Sequence, residues 1–202
     1  MRGMKALRAT AVMLATASVA HAQKVHPGGA APSFKAVDTR GRTEDLAAYR
    51  GRWVVLEWFS FDCPFTQKHY NSGNMQRLQS TYTERGVVWL SLVSSAPSRE
   101  GYRSANAMNA RATELKTAQT AIIRDTSGVI GRLYGATNTP QLVVIDPRGT
   151  IVYMGGIDDK PTTNVADIAT AHNFVAAALE EGLHGKPIST PAAPPYGCTV
   201  QY

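Results

Sequence analysis

The chain has 202 residues, 44% of them hydrophobic, and carries 21 Lys and Arg against 15 Asp and Glu, a formal charge of +6. Three of those basic residues, Arg2, Lys5 and Arg8, form an acid-free head, so the remainder holds 18 basic and 15 acidic residues and only +3. That balance gives no basic patch for a nucleic-acid partner. Two cysteines, Cys63 and Cys198, are too few for a disulfide scaffold, and no Cys/His pairs at finger spacing suggest structural zinc; no metal and no cofactor is expected.

Residues 9–20 are apolar, fewer than the ~20 residues a membrane-spanning helix needs, and lead to Ala20-His21-Ala22, a small-x-small cleavage signature. Residues 1–22 are therefore expected to be an export signal with Gln23 as the mature start. The mature chain is expected in the bacterial periplasm, without membrane insertion, where disulfides persist.

Residues 23–32, with Pro and Gly, read as a loose lead-in. Ser33 to Val37 alternates and meets the turn Asp38-Thr39-Arg40-Gly41, and Asp45 to Tyr49 reads as a short helical turn ended by Gly51. Trp53 to Phe59 is a continuous apolar run interrupted only by Glu57, the pattern of a strand buried on both faces. Pro64 suits a first helical turn, and Met75, Leu78 and Tyr82 carry helical spacing to about Arg85. Strands follow at Val87 to Val93 and Ala121 to Ile123, with helices near Ser104 to Leu115 and Val129 to Tyr134. Gln141 to Ile145 and Thr150 to Tyr153 read as strands joined by Asp146-Pro147-Arg148-Gly149. Asn164 to Glu181 reads as a last helix stopped by Gly182, and residues 186–202 as an extended or mobile Pro-rich tail. The order implies an α/β domain over residues 33–185, a central mixed sheet with helices on both faces.

Cys63 sits between the buried strand and the proline-started helix, in Asp62-Cys63-Pro64-Phe65-Thr66. A helix start offers free N–H groups and the positive end of the helix dipole, which favour the reactive thiolate. At ~100° per residue, Thr66, Gln67 and Tyr70 share the face of Cys63, while Lys68 and His69 point away; His69 reads as a solvated helix residue. Thr66 is able to hydrogen-bond the thiolate but not to resolve a mixed disulfide. Glu57, six positions before Cys63, is a charge in an apolar strand, expensive unless it is paired, neutralised or at an edge that reaches water.

Trp53 to Thr66, then Tyr134-Gly135 and Thr139-Pro140, then Leu142-Val143-Val144-Ile145-Asp146, resemble the thioredoxin superfamily. The chain most resembles the redoxin branch, which includes the peroxiredoxin-like alkyl hydroperoxide reductase/thiol-specific antioxidant proteins. The resemblance implies a thioredoxin-like fold. It implies that Glu57 is a buried carboxylate, raised in pKa by desolvation, that exchanges the thiol proton, and that Thr139-Pro140 is a cis bond beside Cys63. Thr139 is then expected to pair with an extended substrate. Dithiol members have Cys-x-x-Cys; Thr66 replaces the second cysteine, so any second thiol lies elsewhere. Cys198 is 135 positions away. It resolves Cys63 as in two-cysteine peroxiredoxins, staples the tail, or stays free; a reversible or structural link is favoured, with Tyr196 as an anchor for a folded-back tail.

The expected activity is an exported thiol-dependent oxidoreductase acting on protein or small thiols and disulfides, recharged by an external reductant. Glu57, Cys63, Ser60, Thr66 and Cys198 are the expected catalytic set, with Pro64, Thr139 and Pro140 on the substrate. A peroxidase is one alternative. Its pattern keeps the hydroxyl at Ser60 but has Leu56 for the proline and Pro140 where the arginine belongs; Arg124 replaces that arginine only if the fold brings it to Cys63. A copper chaperone is another, but Gln67 stands where such proteins carry a second cysteine.

Overall fold

A computed structural model describes residues 25–202. The expected export signal, residues 1–22, lies outside the described residues.

The central sheet is built on the apolar run around Glu57. Val54–Trp58 (β3) pairs in parallel with Val88–Val93 (β4), and β4 in parallel with Ala121–Arg124 (β5). On the other side of β3, Gln141–Ile145 (here β7; Asn138–Thr139 is β6) runs antiparallel and pairs with Ile151–Gly155 (β8). The five-stranded order is β5-β4-β3-β7-β8. A small hairpin, Lys35–Val37 (β1) and Thr43–Asp45 (β2), touches β5 through Asp38 and Ile123. After β2 comes a 3-10 turn, Leu46–Tyr49, capped by the Asp45 side chain.

Strand alternation divides the core in two. Val55 and Phe59 face Tyr70, Met75, Leu78 and Tyr82 of the helices Pro64–Asn71 (α1) and Asn74–Glu84 (α2), and Leu179 of Phe174–Leu183 (α5). Met108 of Ala105–Glu114 (α3) joins them. Val54, Leu56 and Trp58 face the other way, onto Ile130 of Val129–Leu133 (α4) and Tyr134. Burial on both faces is why the run lacks a polar alternate, Glu57 excepted.

The expected helix to Arg85 is two helices. Gly73, at φ +72°, breaks the ladder between Ser72 and Asn74, so the spacing of Met75, Leu78 and Tyr82 belongs to α2 alone. The expected last helix is also divided. Val165–Thr170 forms an exposed 3-10 turn, Ala171 turns extended, and Asn173 restarts the chain as α5 by accepting from the Ala176 N–H at 2.8 Å. The Phe174 N–H donates to the Ile157 carbonyl at 3.0 Å, which pins that restart to the loop after β8. Gly182 lies inside α5 rather than ending it.

The lead-in is not loose where it is described. The Gly28 and Ala31 N–H groups donate to the carbonyls of Ile151 and Gly149, at 2.7 and 2.9 Å. Of the two readings of the tail, extended or mobile, it is extended: Met154 N–H donates to the Pro191 carbonyl at 3.1 Å, Val200 is buried, and Cys198–Thr199 (β9) pairs antiparallel with β6. Both segments cover the free edge of β8, where unpaired N–H and C=O groups invite other chains. Among the described residues no helix is long and apolar enough to cross a membrane.

Candidate active site

Cys63 is the N-cap of α1, extended at φ −74° and ψ 122°, with Pro64 following. Its side chain makes no capping hydrogen bond and Pro64 has no N–H, so the amides open to a sulfur anion are those of Phe65 and Thr66. Cys63 and Cys198 form a disulfide, with Cα atoms 5.9 Å apart. Of the pair, Cys63 is 2% exposed while Cys198 is half-buried.

The Thr139–Pro140 peptide is cis and stands against this disulfide. The Cys63 Sγ lies 3.1 Å from the Thr139 carbonyl oxygen, and Thr139 is the register partner of Cys198. Asn138 Nδ2 donates to the Gly197 carbonyl at 3.2 Å, and the Val200 N–H to the Thr137 carbonyl at 3.0 Å. The tail therefore lies as a strand along the residues expected to meet substrate. Gly197 permits this approach: its φ is +114°, and a Cβ there would sit 2.1 Å from the Thr139 oxygen.

A cavity of about 20 Å³ opens beside the two sulfurs, lined by Ser60, Ser94, Ser95 and Glu100 among others. That space holds about one water. Ser60 Oγ accepts from the Asp62 N–H at 3.2 Å, which leaves its own proton free. Asp62, next to Cys63, is paired with Arg103.

Glu57 is fully buried and its carboxylate accepts from Tyr70 Oη (2.8 Å), Trp89 Nε1 (2.7 Å), Ser91 Oγ (2.8 Å) and Gln79 Nε2 (3.3 Å). Loss of water pushes its pKa up, against the pull of these four donors. Tyr70 belongs to the same helix as Cys63 and joins Glu57 to it. Thr66 Oγ1 is buried with no hydrogen-bond partner in this oxidised state. Gln67 Nε2 donates to the Phe61 carbonyl at 3.0 Å, and Arg124 to Tyr102 Oη at 2.9 Å.

His69 is not solvated. It is 0% exposed and Lys68 1%, for both enter a polar cluster beneath the tail. Asp158 Oδ2 lies 3.5 Å from Lys68 Nζ and 3.8 Å from His69 Nε2, and Tyr196 Oη donates to Asp158 Oδ1 at 2.5 Å. Burial lowers the His69 pKa to about 4, Asp158 working against that and Lys68 with it. The helical wheel placed both residues away from Cys63 but had no view of what packs there.

The family model for AhpC/TSA matches residues 27–154, well over half the chain. The chain belongs to the AhpC/TSA family. No curated protein matches it. Among solved structures, a hypothetical protein from Sinorhizobium meliloti 1021 is similar at TM-score 0.74 and 21% identity, covering 89% of this chain and 96% of that one. An uncharacterized conserved protein from Geobacillus kaustophilus gives TM-score 0.73 at 23% identity, over 87% and 92%. The thioredoxin domain of a thiol-disulfide oxidoreductase from Bacteroides vulgatus gives 0.51 at 18%, over 65% and 89%. These likenesses show the thioredoxin-like fold. The matched span of the AhpC/TSA family contains Glu57, Cys63, Thr139 and Pro140, whereas Asp158, Tyr196 and Cys198 lie past its end. Of these three, Asp158 carried no sequence signal: one of two neighbouring acids in Ile157-Asp158-Asp159 resembles any loop carboxylate.

Proposed function

We propose that this AhpC/TSA protein is an exported thiol-disulfide oxidoreductase that cycles between the Cys63–Cys198 disulfide and the dithiol. The observation that carries the proposal is that disulfide itself, at the N-cap of α1 against Thr139 and Pro140. Export rests on the basic head and the Ala20-His21-Ala22 site, and places the chain where such a bond persists.

In the substrate half-reaction the Cys63 thiolate attacks one sulfur of a substrate disulfide. The Cys63–substrate disulfide forms and a substrate thiolate leaves. Cys198, as thiolate, then attacks Cys63 Sγ; the Cys63–Cys198 bond re-forms and the second substrate thiolate departs. The substrate gains two electrons and the enzyme dithiol loses them. Thr66 Oγ1, unpartnered in the oxidised state, donates to the Cys63 thiolate, as do the amides of Phe65 and Thr66. Glu57, raised in pKa and joined to α1 through Tyr70, holds the proton the thiol gives up.

In the recharging half-reaction two thiols of an external reductant return the two electrons. Their first attack falls on Cys198, because Cys63 is buried beneath it. The departing group is then the Cys63 thiolate, which the free amides of Phe65 and Thr66 receive at the start of α1. A mixed disulfide on Cys198 follows, which the second reductant thiol cleaves.

Reduced full-length protein and a Cys198→Ser variant, each mixed with a disulfide-bonded model protein, test this. The wild-type chain is expected to reduce one disulfide per molecule, and the variant to stop as a covalent adduct on Cys63. Equal turnover by both would overturn the assignment. Adding hydrogen peroxide to the reduced protein separates the peroxidase, which requires Cys63 to react far faster than a free thiolate.

A further inference from the structure

Cys63 and Cys198 lie on two segments that are joined a second time, two to six residues away from the cysteines. α1 contributes Phe65, Lys68 and His69; the tail contributes Tyr196, two residues before Cys198. The Tyr196 ring meets the Phe65 ring edge-on with centroids 6.0 Å apart, and Lys68 Nζ lies 5.8 Å from the Tyr196 ring centre. The Tyr196 hydroxyl donates to Asp158, which also accepts from the Lys160 N–H at 2.9 Å and faces Lys68. Lys68 Nζ in turn donates to the Lys160 carbonyl at 2.6 Å, so the Asp158–Lys160 loop and α1 are held as one piece. His69 Nδ1 receives an N–H from Asn74 at 2.9 Å, which leaves the proton of the neutral ring on Nε2, 3.3 Å from Tyr196 Oη.

None of the contacts in this second joint is made by a sulfur atom. Taking Lys68 and Asp158 out of water is costly, and an apolar pair of similar size would hold the fold as well. What such a pair supplies here is one fixed acceptor for one hydroxyl.

We infer that Asp158 and Tyr196 are positioning residues for the resolving step: a latch that keeps Cys198 within reach of Cys63 while the disulfide is open. The inference rests on the proposed role of Cys198 as resolving thiol. A free tail would have to find Cys63 by loop closure. A latched one presents its thiol at a high effective concentration, with Gly197 the only residue between the anchor and the sulfur.

The test is the reaction of reduced full-length protein with 5,5′-dithiobis(2-nitrobenzoate), an aromatic disulfide whose released thiolate is coloured. Attack by Cys63 releases the first equivalent and leaves the second on Cys63. Attack by Cys198 on Cys63 Sγ releases the second and closes the disulfide. Tyr196→Phe keeps the ring on Phe65 and Lys68 and removes only the hydroxyl; Asp158→Asn keeps the shape and removes the charge. In both variants the first release is expected at the wild-type rate within about twofold, and the second slower by at least about tenfold. A merely structural role would move melting temperature or both phases together, not the second phase alone. If a variant melts before assay, the same second-phase measurement on the other decides the matter. Wild-type second-phase rates in the folded variants would overturn the latch alone. A wild-type chain that never releases the second equivalent would overturn the resolving role of Cys198 and the latch with it.

Discussion

Glu57 and His69 are both buried and both shifted, yet they pull stability in opposite directions with pH. The folded pKa of Glu57 lies above its unfolded value of 4.5. Its contribution is therefore complete below about that pH and is lost as pH rises toward the folded value, where the unfolded chain is ionised and the folded one is not. Glu57→Gln is expected to gain stability on the wild type between pH 5 and 8, read from urea unfolding, and to lose activity over that range. His69 behaves in the other sense. Its folded pKa of about 4 lies below the unfolded 6.5, so its contribution is complete above 6.5 and is lost as pH falls toward 4. The full loss is about 3 kcal/mol. Asp158, Lys68, Tyr196 and Asn74 are the polar groups facing the ring, and His69→Asn is expected to lose less than the wild type across that window. Glu57 was legible because a lone charge in an apolar strand is conspicuous. His69 was not: its burial comes from Asp158 and Tyr196, which stand 89 and 127 positions away in the sequence.

At the scale of elements, β3, β4, β5, β7 and β8 were legible because each is an apolar run or alternation bounded by turn residues. The helix breaks were less so. Asn71-Ser72-Gly73-Asn74 is a turn sequence, but the apolar spacing beyond it continues and masks the break. In residues 164–181 the decisive residue is Asn173, whose side chain starts α5 and whose backbone bridges to Asp158. Asn173→Ala is expected to lower stability by about 1 kcal/mol in urea unfolding, the usual effect of an N-cap loss. The strand β9 had no signal at all. Two residues are too short to show periodicity, and their partner β6 lies 59 positions earlier.

For the whole molecule, the tail belongs to the core. Val200 and Tyr202 pack with Ile130 and Tyr134 on one face of the sheet, and Ala193 and Tyr196 with the other. The disulfide closes a loop over a sequence separation of 135, which the chain-entropy view values at about 3–5 kcal/mol. Reduction, or Cys198→Ala, is expected to lower the melting temperature by roughly 10 °C in a calorimetric scan. A shift under about 2 °C would mean that the tail alone supplies that restraint. The pairing of β9 with β6 bears on turnover. While Thr139 faces Cys198, its backbone groups are already taken, and an unfolded polypeptide finds no vacant edge there. Spent enzyme is thus its own plug. On the proposed cycle a client reaches Thr139 only after Cys198 and Thr199 peel away from β6, so the oxidised form is expected to bind clients more weakly than the reduced one.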